Sequence, residues 1–163
     1  MAIELRATHE DDLDYILQAE RDPANSPYIL AWTRQQHQNA LLDGDQRHFI
    51  VTDIQTKRAV GFVILAGLNN RHDAIEFRRL VITDKGQGYG RLAIRAVKAY
   101  AFEQQQAHRL WIDVFDFNEL AQYLYQLEGF VIEGTWRECV RMGDNYHSLV
   151  FMAILRHEYE KNG

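Results

Sequence analysis

The stretch Leu80-Val-Ile-Thr-Asp-Lys85-Gly-Gln-Gly-Tyr-Gly90-Arg-Leu-Ala-Ile-Arg95-Ala-Val-Lys-Ala-Tyr100-Ala-Phe102 decides the fold. A β-branched run ends at Ile82. A polar turn follows, carrying Gly86, Gly88 and Gly90 at alternate positions. Tyr89, Leu92, Ala93, Ala96, Val97 and Tyr100 then recur at helical spacing. The spacing predicts a buried strand feeding a glycine-rich turn that opens a long amphipathic helix.

Such a turn has a definite chemistry. Glycine lacks a Cβ, so the backbone bends sharply and a ligand can approach it closely. The first N–H groups of a helix have no partner inside it. They point from the N-terminus, where the helix dipole favours an anion. Lys85 and Arg91 add positive charge beside them. A pyrophosphate bound there would accept several charge-assisted bonds, each worth roughly 1.5–3 kcal/mol. The P-loop pattern is absent, because no glycine of the turn leads into Gly-Lys-Ser/Thr. A dinucleotide fingerprint fits only from Gly88, with Ala93 in the third glycine position. That match is weak and sits mid-chain.

At 163 residues, one domain is expected, spanning 1–155 with a polar tail at 156–163 that frays. Hydrophobic residues make up 47% and charged residues 25%, ordinary values for a globular chain. A formal net charge of −5 argues against general nucleic-acid binding and suits a cationic acceptor such as an amine. Cys139 is the single cysteine, so no internal disulfide can form. With no signal peptide in the sequence, the expectation is a reducing cytoplasm. No apolar run approaches the ~20 residues of a membrane span. The seven histidines show no metal-ligand spacing, and no metal is expected. Nothing near Cys139 in sequence supports a nucleophilic triad. The oligomeric state stays open, a homodimer included.

In chain order, Ile3–Ala7 alternates as a first strand, and Thr8 is expected to cap the helix carrying Leu13, Ile16 and Leu17. Both prolines lie in the break at residues 22–27. Tyr28, Ile29, Leu30 and Trp32 follow; they either line a substrate pocket or cover the core. Thr33 is expected to cap a second helix ending at Leu42. Strands are predicted at 48–53, 59–68 and 74–82. In the last of these Glu76, Arg78, Leu80 and Ile82 are expected on one face. Charges on a central strand must be paired, exposed or functional. After the long helix come a strand at 109–114, a helix capped by Asn118 and stopped by Gly129, and two strands at 130–140 and 146–155 around a hairpin.

The glycine turn resembles the acetyl-CoA signature of the GNAT superfamily of N-acetyltransferases, Gln/Arg-x-x-Gly-x-Gly/Ala. Lys85, Gly88 and Gly90 fill it, Lys85 in place of Gln or Arg. A second segment, Asn118-x-x-Ala121-x-x-x-Tyr125-x-x-x-Gly129-Phe130, resembles the part of that superfamily after its fifth strand. The likeness covers the whole chain. Its N-terminal third is most similar to the ribosomal-protein N-terminal and polyamine acetyltransferases.

The resemblance implies an α+β, three-layer fold. Its mixed, mostly antiparallel sheet has about seven strands, helices on both faces, and a splay between strands four and five. It implies acetyl-CoA in that splay, its pantetheine on the backbone of Leu80, Val81 and Ile82. The pyrophosphate would rest on the turn from Lys85 and Gly86 through Gln87, Gly88, Tyr89 and Gly90 to Arg91, with Asn118 touching the pantetheine arm. The reaction implied is direct attack of a primary amine on the thioester; the acceptor is a peptide N-terminus, a polyamine or another small amine. Deprotonating an alkyl amine of pKa ~10.4 at pH 7 costs about 4–5 kcal/mol, against about 1 kcal/mol for an α-amine. Glu76 matches the base position of some members, and Tyr125 matches the acid that protonates the leaving thiolate, with Tyr123 close by. His147 is a minor candidate for the acceptor cleft. The alternatives are a non-catalytic acyl-CoA-binding module on the same fold and a nucleotide-binding domain unrelated to CoA.

Overall fold

The computed structural model describes residues 1–162. Seven strands form one sheet: β1 (Ile3–Ala7), β2 (Gln46–Asp53), β3 (Ala59–Ala66), β4 (Ala74–Ile82), β5 (Arg109–Phe115), β6 (Val131–Met142) and β7 (Asn145–Leu155). Their order across the sheet is β1-β2-β3-β4-β5-β7-β6. Every neighbouring pair is antiparallel except β4 and β5, which run parallel. This is the mixed, mostly antiparallel sheet that the resemblance implies.

Alternation along the central strands separates two cores. Phe49, Val51, Val63 and Leu65 face the helix α3 (Tyr89–Ala99) and pack with its Tyr89, Ala93, Ile94 and Val97. Ile50, Phe62 and Ile64 face the other way and pack with Leu13, Ile16 and Ala19 of α1 (Leu13–Arg21). A fully buried side chain of this size contributes about 1.5–3 kcal/mol. The two cores therefore fix the helices on opposite faces of the sheet. Helix α2 (Arg34–Leu42) starts at a capping box: Gln36 N–H donates to Thr33 Oγ1 at 3.2 Å, and Thr33 N–H donates to Gln36 Oε1 at 2.8 Å. Helix α4 (Glu119–Leu127) is capped by Asn118, whose Oδ1 accepts from Ala121 N at 3.3 Å.

Three expectations change. Thr8 is not the first helix cap. A 3₁₀ turn at Glu10–Asp12 begins one residue later, at His9, whose N–H donates to Asp12 Oδ2 at 2.7 Å. The Thr8 hydroxyl is instead buried against His48. Within the polar tail, Arg156–Asn162 does not fray but forms a helix, α5, and Gly163 lies outside the described residues. Tyr159 stacks on Phe102 at 4.9 Å between centroids, and an Arg156 N–H donates to the Phe102 carbonyl at 2.8 Å. Third, β4 carries a bulge at Arg78. Phe77 pairs with Leu65 of β3 and Arg79 with Ile64, so Arg78 is an extra residue. Before it, Ile75 and Phe77 face the α3 core; after it, Leu80 and Ile82 do, while Val81 faces α1. Glu76 and Leu80 are therefore on opposite faces, contrary to simple alternation.

Candidate active site

Strands β4 and β5 share only three paired positions, Ala74 with Arg109, Ile75 with Leu110 and Glu76 with Trp111. Beyond Glu76 they separate, just where the Arg78 bulge adds twist to β4. The gap is the opening that the splay predicts. A cavity of about 280 Å³ fills it, walled by Glu76, Arg78, Arg79 and Leu80 on one side and Ile112, Asp113 and Val114 on the other. Tyr28, Ile29 and Leu30 close it on the α1–α2 face, and Asn118, Ala121 and Tyr125 on the α4 face.

A second cavity of about 550 Å³ runs along the opening turn of α3. It is lined by Leu80, Val81, Ile82, Lys85, Gly86, Gly88, Tyr89, Gly90, Arg91 and Asn118, together with Leu120 and Leu124. Tyr28, Ile29, Leu80, Asn118 and Ala121 line both cavities, so the two form one passage. Of the residues expected along the cofactor, Gln87 is exposed and does not line the second cavity.

The turn has the properties an anionic group needs. Gly86 and Gly88 have φ of +78° and +87°, a region that L side chains rarely adopt. Gly88 is the N-cap, and the first turn of α3 carries no acidic residue. A Cβ at Gly86 would meet open space, and one at Gly88 would meet only the Met1 methyl, at 3.6 Å. The Lys85 ammonium has its pKa lowered by partial burial. The ring of Tyr89 is turned inward, its hydroxyl donating to Asp53 Oδ2 at 2.5 Å, so Tyr89 offers the passage its main chain. The Arg91 guanidinium is held by Glu128 at 2.7 and 3.0 Å. Glu128, with a 4% exposed side chain, also pairs with Arg95 and Lys98. Burial pushes the Glu128 carboxyl up, and the bonds from Arg95, Arg91 and Lys98 together bring it below its ordinary value. These features fit a coenzyme with an apolar arm and a diphosphate.

Tyr125 stands where the two strands part. It is 4% exposed and packs edge-on against Phe77 at 5.8 Å and Phe130 at 5.2 Å. Burial raises its phenol well above the ordinary range, so the hydroxyl keeps its proton at neutral pH. Tyr123, two residues earlier, is exposed and outside both cavities. His147 packs on Phe115 and Phe117 and is not part of the cavity wall. Cys139 is exposed on β6. Among the described residues no group of His, Cys, Asp or Glu could hold a metal ion.

Glu76 lines the cavity in the strand gap with its oxygens already engaged. Arg78 donates to them at 2.9 and 3.2 Å, and reaches Gln46 Oε1 at 3.4 Å. Two features of the site escaped the sequence. One is Asp113, a partly buried carboxylate on β5 across the gap. The signal that singled out Glu76, a charge inside an apolar strand, applies equally to Asp113. The other is a buried polar chain behind Arg79. Arg79 pairs with Glu20, donates to the Leu30 carbonyl at 2.6 Å and lies over the Trp32 ring at 5.1 Å. It thereby ties β4 to the Tyr28–Leu30 segment that roofs both cavities.

The family model of the acetyltransferase (GNAT) domain matches residues 2–131. The chain belongs to the GNAT acetyltransferase family. This acetyltransferase is 31% identical to a spermidine N(1)-acetyltransferase of Vibrio cholerae serotype O1, over 72% of this chain and 68% of that one. It is 27% identical to the spermidine N(1)-acetyltransferase of Escherichia coli strain K12, over 97% of this chain and 88% of the relative. Among solved structures, it resembles the spermidine N-acetyltransferase of Vibrio cholerae in complex with CoA and spermine. The TM-score is 0.86 at 27% identity, covering 97% and 98% of the two chains. The enzyme is thus an acetyl-CoA-dependent acyltransferase that acetylates amines. No helix among the described residues is long and apolar enough to cross a membrane.

Proposed function

We propose that this acetyltransferase transfers an acetyl group to a primary amine of a polyamine by direct attack on the thioester. The observation that carries the reading is the chemical split of the passage. Its α3 end has main-chain N–H groups and apolar walls, while its other end has the carboxylates Glu76 and Asp113, with Arg78 bonded to Glu76 and Arg79 to Glu20. An anion-binding turn and a cation-binding wall meet at the strand gap. The likeness to an acetyltransferase whose structure holds CoA and spermine supports the same substrate class.

Acetyl-CoA supplies the activated acyl group. The residues do the rest. Main-chain groups of Leu80, Val81 and Ile82 guide the pantetheine arm, as an added strand would pair with β4. The turn from Lys85 to Arg91 holds the diphosphate with its amides, and Asn118 offers its side-chain N–H groups while its Oδ1 caps α4. Tyr125 gives its proton to the departing sulfur, whose thiol has an ordinary pKa of about 8.5. Positioned acid–base catalysis of this kind is worth typically ~10²–10⁴-fold. An alkyl amine must first lose a proton, at a cost of about 4–5 kcal/mol at pH 7. A carboxylate at the far end serves that need.

The test is a panel of amines with acetyl-CoA, followed by thiol release. Spermidine or spermine should turn over with a kcat/KM at least ten times that of an N-terminal peptide or a monoamine. Equal or faster turnover of the peptide would overturn the polyamine reading. Binding of acetyl-CoA without turnover of any amine would make the chain a non-catalytic module on the same fold.

A further inference from the structure

We infer that Asp113 receives the ammonium group of the acceptor and takes its proton, while Glu76 is held in the cavity wall by Arg78. This rests on the amine-acetylating reading and names the group that serves it.

The register fixes which way Asp113 points. On β5, Leu110, Ile112 and Val114 pack into the core under α3 and α4. Asp113 alternates with them and so faces the α1–α2 side. Glu76 is paired with Trp111, two residues before Asp113, and shares that face. Both carboxylates line the cavity at its acceptor end.

The charges in that wall are unevenly matched. Arg78 is joined to Glu76 by two bonds, and Arg79 to Glu20. Among the described residues Asp113 has neither an ion pair nor a hydrogen bond. A partly buried carboxylate costs free energy until a cation meets it. No cation among the described residues pairs with it directly, since Arg78 is bonded to Glu76 and acts on Asp113 only at a distance; a protonated amine would meet it. Burial first, then the charge of Glu76 facing it from β4, raise the Asp113 carboxyl, against a smaller opposing effect of Arg78. Burial in the same cavity lowers an amine's pKa, so acid and base approach each other.

The step balances. The ammonium gives one proton to the Asp113 carboxylate, and the freed lone pair forms the C–N bond at the acyl carbon. The C–S bond breaks with its electron pair going to sulfur, which takes the Tyr125 proton. The nitrogen's second proton restores Tyr125, and Asp113 releases its own to water. One proton leaves per turnover.

The experiment compares Asp113→Asn, Asp113→Glu and Glu76→Gln, each checked for an unchanged acetyl-CoA affinity and melting temperature. Spermidine is titrated calorimetrically into each protein saturated with CoA, and turnover is measured with acetyl-CoA. D113N should weaken spermidine binding at least tenfold and lower kcat at least tenfold. D113E should recover most of both, and E76Q should lose at least threefold less than D113N. Wild-type-like binding and turnover in D113N, or a larger loss in E76Q, overturns the assignment. A wild type that binds CoA but no spermidine overturns it too and leaves the family activity standing, so the two readings fail separately.

Discussion

His37 Nε2 lies 2.7 Å from Oε1 of Glu20, with both side chains shut away from solvent. The contact is one link of a chain. His37 Nδ1 meets His48 Nε2 at 3.0 Å, and His48 Nδ1 meets the Thr8 hydroxyl at 2.9 Å. Each of the three links carries one shared proton. Glu20 also carries Arg79, and Arg79 holds Leu30 over the cavities. The chain joins four elements and sets the roof of the site.

Acid should therefore loosen the fold through His48. Burial, then the charges of His37 and Arg79, lower its pKa from the ordinary 6.5 to about 3. The unfolded state binds the proton first, so this stability is complete above pH ~6.5 and is lost as pH falls toward 3. Between pH 7.5 and 5.5 the loss is on the order of 1 kcal/mol for this one group. Urea unfolding at the two pH values checks it. A His48→Gln variant should be less stable at both and show a flatter dependence; equal slopes in the two proteins would remove His48 from the effect.

Tyr125→Phe should lower kcat at least tenfold and leave the acetyl-CoA affinity within about twofold, given the usual range of acid–base contributions. The ring packs on Phe77 and Phe130, and phenylalanine keeps those contacts. Thiol-release kinetics beside calorimetric binding reads both quantities. Unaltered turnover would take the acid role from Tyr125.

The glycine turn and the helix after it were legible because both signals are local: alternate glycines, then a 3.6-residue period. The strand boundaries followed for the same reason. The face of Glu76 was not legible, because the bulge at Arg78 arises from pairing with β3, a contact some 15 residues away in sequence through Ile64 and Leu65. Thr8 has the chemistry of a cap, yet its hydroxyl is claimed by His48, 40 residues on. Glu20, His37, His48 and Arg79 each look like a surface residue alone and become buried only together. Asp113 was within reach, since a carboxylate between Ile112 and Val114 breaks an apolar strand much as Glu76 does. In the tail, the i,i+4 pair Arg156 and Glu160 was a readable helix signal, at 3.3 Å in the structure.

Gly88→Val should abolish acetyl-CoA binding. The substitution places a branched side chain at φ +87°, at a residue that lines the cavity along the opening turn of α3. The strained backbone itself costs about 1–2 kcal/mol. The informative reading is hence the rise in melting temperature that saturating acetyl-CoA adds to each protein. The wild type should gain several degrees and the variant none. An equal gain in both would refute the amide cradle.

The most direct measurement is a crystal structure of the complex with CoA. The diphosphate should lie within hydrogen-bond distance of the main-chain nitrogens at 89–91, and the thiol between Leu80 and Val114 beside the Tyr125 hydroxyl. CoA bound away from the β4–β5 gap, or its diphosphate held by side chains elsewhere, would contradict this placement.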